Sequence, residues 1–187
     1  MQAPELKYTY AEYLALEQKS EFKLEYFAGR VYAMSGGTPE HGRLAARVIA
    51  LLEAQLGGRS CATFTSDVRV RVPATDVALY PDVSVVCDKL ERAEDDPDAI
   101  VNPRVLVEVL SKSSEKYDRE EKFAQYRRIP SLECYVLVSQ QERLLEVFTR
   151  NADGTWTLRD VREGEARIDA IGCQLGVDAV YRDPLAS

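Results

Sequence analysis

The chain has 187 residues, 45% of them hydrophobic, with 24 Lys and Arg against 31 Asp and Glu for a net charge of −7. That length suffices for one substantial core, and a single domain over residues 1–187 is expected. No apolar run approaches the ~20 residues a membrane-spanning helix needs, and the start MQAPELKYTY lacks the order of a signal peptide, so a cytoplasmic protein with no membrane partner is expected.

Four cysteines lie far apart with no CxxC pair, and His41 is the single histidine, which removes the usual structural zinc spacings. Cys61, Cys87 and Cys134 fall in strand-like segments, where small buried thiols are expected. The acidic balance does not exclude nucleic acid, because a local basic surface can coexist with a carboxylate cluster.

Thr9 followed by Glu12 forms a capping-box signature and predicts a short helix through about Gln18. FKLEYFAGRVYAM reads as two β runs folded about Ala28-Gly29. The clearest helix follows: Thr38 can cap it, Pro39 suits its first turn, Leu44, Val48, Leu51 and Leu52 form a stripe, and Gly57-Gly58 ends it. In DVRVRV the period becomes two, with Val68, Val70 and Val72 on one face and Asp67, Arg69 and Arg71 on the other. After the turn PATD, Pro81 marks where a new strand begins in ALYPDVSVVCD. The acidic stretch ERAEDDPDAI reads as a solvated loop. RVLVEVLS is apolar on both faces except for Glu108, which predicts a central strand. Asp118 and Glu121 read as the capping box of a helix with Phe123, Tyr126 and Ile129 packed inward and Pro130 as its stop. ECYVLVS is another buried strand, and LLEVFTR, NADG and TWTLRDV form a hairpin carrying the single tryptophan. The order predicts an α/β protein, helices flanking a mixed sheet, with additional N-terminal and C-terminal strands.

Glu108 poses the chemical question, because an ionised carboxylate in an apolar strand needs a partner or a metal. Asp82 begins the preceding core strand, and if the two strands are neighbours both carboxylates can reach one place. Such a pair, completed by water and phosphate oxygens, suits Mg²⁺ or Mn²⁺. Lys122, early in the following helix, could reach back to the carboxylates and orient a water or neutralise phosphoryl charge. Spacing alone favours a surface pairing with Asp118 four residues earlier.

YPDVSVV, VEVLS, YDREEKF, YRRIPSLECYVLVSQ and IGCQLGVDAVY, with SEFKLEYFAGRVYAMSGGTPEH and SDVRV upstream, resemble the restriction endonuclease family, a bacterial group within the PD-(D/E)XK nuclease superfamily. The resemblance runs collinearly from about Tyr8 to Tyr181. It implies a restriction-endonuclease-like fold and a Mg²⁺- or Mn²⁺-dependent endonuclease acting on DNA. Asp82 matches the Asp of the PD motif and Glu108 the second acid, both as metal ligands. The superfamily lysine is expected two residues after that acid, where this chain has Leu110, and the family's displaced lysine matches Lys122. Lys112 inherits no role. Glu25 matches an acid before the Gly29 turn and stands either as a further carboxylate of the site or as a surface strand residue. His41 is a cap, a surface residue or a phosphate contact; Asp67 borders the site or makes a cross-strand pair; Gln125 shares a helix face with Lys122. Arg43, Arg47, Arg69 and Arg71 are candidate phosphate contacts, and the expected partners are a DNA substrate and a second copy in a homodimer. The alternative is a non-catalytic DNA-associated or protein-binding module that keeps the fold.

Overall fold

A computed structural model describes residues 7–34, 36–112 and 115–185. The first helix, α1 (Tyr10–Glu17), has the capping box in place, with Thr9 and Glu12 exchanging hydrogen bonds. The hairpin β1 (Leu24–Phe27) and β2 (Arg30–Ala33) turns at Ala28-Gly29, both at positive φ. Helix α2 (Pro39–Leu56) is capped by Thr38 and buries Leu44, Val48, Leu52 and Leu56. Strands β3 (Cys61–Thr65), β4 (Arg69–Val72), β5 (Val77–Leu79) and β6 (Val83–Cys87) follow. Two strands, β7 (Arg92–Ala93) and β8 (Asp96–Ile100), occupy the acidic stretch expected to be a loop. The central strand β9 (Val105–Leu110) is buried at all six positions. A π-helical turn (Tyr117–Lys122) leads into α3 (Phe123–Tyr126). Beyond lie β10 (Cys134–Ser139), β11 (Leu145–Arg150), β12 (Trp156–Val161), β13 (Glu165–Ile168), β14 (Cys173–Gly176) and α4 (Val177–Tyr181).

The strands form two six-stranded sheets, ordered β2-β1-β5-β4-β8-β7 and β12-β11-β10-β9-β6-β3, with β13-β14 as a separate pair. Both large sheets are mixed: β9 runs parallel to β10, β4 parallel to β8, and the other pairings in them are antiparallel. The expected α/β architecture holds, with the extra strands assembled into a second sheet. Pro81 explains how one stretch serves both. It interrupts the ladder after β5, and β6 starts at Val83 in the other sheet.

Three local expectations are corrected. ERAEDDPDAI is a hairpin rather than a solvated loop, because Asp96 turns inward to Arg69 and the Tyr10 hydroxyl, which satisfy its buried carboxylate. Cys61 and Cys87 are not separate thiols: they stand opposite each other on β3 and β6, Cα atoms 3.9 Å apart, joined by a disulfide. Cys134 and Cys173 remain free and buried. Asp118 caps nothing, because the chain is already helical at Glu115 and Lys116, which places Asp118 a turn inside.

Candidate active site

Register brings the first two acids together. Val83 pairs with Val107, and continuing the antiparallel β6–β9 ladder by one residue sets Asp82 across from Glu108. Asp82 is fixed at the end of that ladder, its Oδ2 accepting the Val109 N–H at 2.7 Å. Glu25 arrives from β1 in the other sheet and accepts the Tyr80 N–H at 3.2 Å, just before the proline that joins the sheets.

Lys122 is the hub. Its Nζ lies 3.1 Å from Glu108 Oε1, 3.3 Å from Asp118 Oδ1 and 3.4 Å from Glu25 Oε1. The pairing with Asp118 four residues earlier exists, as spacing suggested, but it is buried rather than on the surface. Burial alone would pull the Lys122 ammonium towards neutrality, and Glu108, Glu25 and Asp118 together outweigh it and hold its pKa well above the ordinary value. Glu108 also accepts the Tyr126 hydroxyl at 3.0 Å. Its own pKa is pushed well up, first by burial and then by the neighbouring Asp82, Asp118 and Glu25 charges, against the pull of Lys122.

His41 joins from the first turn of α2. Its backbone N–H is capped by Thr38 Oγ1, while its ring Nε2 lies 3.1 Å from Asp82 Oδ2. The hydrogen bond that His41 donates to Asp82 raises the His41 pKa, with partial desolvation acting in the opposite direction. These groups line a cleft of about 630 Å³, bordered also by Phe27, Arg30, Tyr32, Met34 and Tyr117.

The charge balance of the cleft is what a cation would answer. Glu25, Glu108 and Asp118 face Lys122 as their buried counter-charge, and Asp82 pairs with His41. Asp118 Oδ1 is buried and, among the described residues, receives the Lys122 charge without a hydrogen bond. Among the described residues, no three Asp, Glu, His or Cys side chains already converge at ligand distance on one point. Asp82 and Glu108 are oxygen donors of the kind a hard divalent cation takes, with water and phosphate for its other positions.

The sequence candidates thus separate. Glu25, Asp82, Glu108, Lys122 and His41 come together. Asp67 does not: it is exposed and pairs with Lys23 at 2.5 Å. Gln125 is half-buried on α3 and does not line the cleft. Arg69 binds Glu17 and Asp96, Arg71 binds Asp76 and Asp95, and Arg43 reaches the Arg182 carbonyl, so these three spend their donors inside the protein. Arg47 is half-buried on α2 and does not line the cleft. Missed by sequence reasoning were Asp118, taken for a cap, and the aromatic residues Tyr32, Tyr117 and Tyr126. The only sequence signal for Asp118 was its four-residue spacing from Lys122.

Residues 10–178 match the family model of Uma2, described as putative restriction endonuclease. The chain is 36% identical over 181 residues to the uncharacterized protein slr1290 of Synechocystis, covering 96% of this chain and 94% of that protein. It is 32% identical over 161 residues to sll1609 of the same organism, covering 86% and 91% respectively. Its fold matches the crystal structure of a putative nuclease belonging to DUF820 from Anabaena variabilis, with TM-score 0.71 over 87% of this chain and 91% of that one at 14% identity. The chain belongs to the Uma2 family of putative restriction endonucleases, with the nuclease fold that its two mixed sheets and flanking helices display.

Proposed function

We propose that this protein is a Mg²⁺- or Mn²⁺-dependent endonuclease that hydrolyses phosphodiester bonds in DNA. The observation that carries the reading is the meeting of Asp82 and Glu108, from neighbouring strands, with one buried lysine at an open cleft. Asp82 and Glu108 would hold the ion, which when bound supplies Lewis-acid activation of water and shields phosphoryl charge. The chain's own residues set the rest. The Val109 N–H orients Asp82 so that its remaining lone pairs face the cleft. Tyr126 and Lys122 both engage Glu108 Oε1, leaving Oε2 as the oxygen for a ligand. Lys122, held protonated and in place by Glu25 and Asp118, would offset charge on the reacting phosphate.

Leu110 stands where the superfamily lysine is expected and is part of the core, so a lysine from the following helix takes the role. The second reading, a non-catalytic module, draws support from the same lysine, since all three of its ion-pair contacts are carboxylates of this chain. Incubating supercoiled and linear plasmid with the protein in Mg²⁺, Mn²⁺ or EDTA separates the two. We expect metal-dependent nicking that falls at least a hundredfold in Glu108→Ala. Absence of cutting, with no metal binding by calorimetry, would leave the module.

A further inference from the structure

The mouth of the cleft differs from its floor. Tyr32 lies on β2, the outermost strand of its sheet, and pairs in register with Glu25, so both side chains emerge on the same face. Tyr32 is 45% exposed, whereas most tyrosines of the chain are buried. Tyr117 lines the same cleft from the π-helical turn, its ring 5.7 Å from Lys122 Nζ. Met34 and Phe27 complete an apolar border beside the carboxylates.

The electrostatics decide what kind of strand this mouth can take. A duplex is held by rows of Lys and Arg along its phosphates, and each neutralised phosphate adds to affinity. Here Glu25, Asp82, Glu108, Asp118 and Glu121 face the cleft against Arg30, Lys122 and His41. Arg43, Arg69 and Arg71, which might have formed a phosphate track, are committed to partners inside the protein. Such a site gains affinity from base stacking, which is open to a strand whose bases are unpaired.

We infer that the substrate is an unpaired stretch of strand whose base beside the cleaved phosphate stacks on Tyr32, with Tyr117 lining the same recess. This rests on the nuclease reading and narrows it from DNA in general to single-stranded segments.

The test compares fluorescence anisotropy of labelled oligonucleotides of about 15 nucleotides, near the upper single-strand site size, as unpaired DNA, perfect duplex and unpaired RNA, in Ca²⁺ and in EDTA. Unpaired DNA is expected to bind at least tenfold tighter than duplex. Tyr32→Ala should lose about tenfold of that, and Tyr32→Phe, which keeps the stacking face, should retain it. Because Tyr32 is exposed, the folded state of both variants is checked by circular dichroism. Equal or tighter binding of duplex, or wild-type binding by Tyr32→Ala, overturns the inference; if plasmid duplex is still cut in a Glu108-dependent way, the nuclease reading survives. Tyr32-dependent binding of unpaired strand with no cleavage in any metal keeps the inference as a binding property and removes the nuclease. Preference for unpaired RNA supports the unpaired strand and overturns the choice of DNA.

Discussion

Two buried polar clusters lie on either side of Tyr80, and they solve the cost of buried charge differently. In the first, Arg69 is bonded by Asp96 at 2.8 and 3.0 Å and by Glu17, with the Tyr10 hydroxyl on Asp96 at 2.8 Å. Its neighbour Arg71 lies 3.8 Å over the Tyr10 ring and pairs with Asp76 and Asp95. Arg69 meets Asp96 with two donors, and the carboxylates on Arg71 are half exposed, so water shares their charge. In the second, Glu25, Glu108 and Asp118 share one ammonium, and Asp82 adds a fourth carboxylate beside them. A closed network serves the fold. The second opens on a cleft, where clustered carboxylates would serve a ligand or a metal.

The comparison breaks most visibly if the closed cluster is opened. Arg69→Met leaves Glu17 and Asp96 buried without their cation and is expected to destabilise the fold by about 3–5 kcal/mol. Urea titration measures this. Cleavage per folded molecule should stay near wild type, and a large loss of activity in folded Arg69→Met would erase the division between the clusters. A smaller effect sharpens the other side. Mn²⁺ at about ten times its Kd should raise the Tm of the wild type by a few degrees, since binding to the native state alone contributes roughly RT ln(1 + [L]/Kd). Glu108→Gln should show no such rise. The smallest effect is on acid stability. Burial works against ionisation of Asp96, but the Arg69 and Tyr10 hydrogen bonds prevail and its pKa is lowered from 3.8. A depressed carboxylate contributes stability above its ordinary pKa and loses it as pH falls through the lowered value. The acid limb of the wild-type stability profile, below about pH 3.8, should therefore be steeper than that of Asp96→Asn.

What the sequence made legible were features that act within one turn or one strand. The Thr9–Glu12 capping box and the Thr38 cap with its Leu44 and Val48 stripe have the predicted outcome, whereas in DVRVRV the strand is Arg69–Val72 and Arg71 is buried with the valines. Glu108 stood out because an acid amid apolar strand residues violates a local rule. What stayed hidden depends on long-range register. Asp96 meets Arg69 across 27 residues, and Cys61 meets Cys87 across 26. Neither pairing has a local signature, so an acidic stretch passed for a loop and two strand cysteines for separate thiols. Asp118 was hidden for a different reason: a capping pattern and a mid-helix ion pair use the same residue types, and only the start of the helix distinguishes them.

Pro81 has a consequence for when this constellation exists at all. The two residues beside it are tied to different sheets, Tyr80 through its N–H to Glu25 and Asp82 through its carboxylate to Val109. Glu25 is carried by one sheet, Asp82 and Glu108 by the other, and Lys122 spans the seam. A chain with only one sheet formed presents no more than fragments of this arrangement. The site thus reports on completion of folding: Glu25 and Glu108 reach their shared lysine only after both sheets have docked.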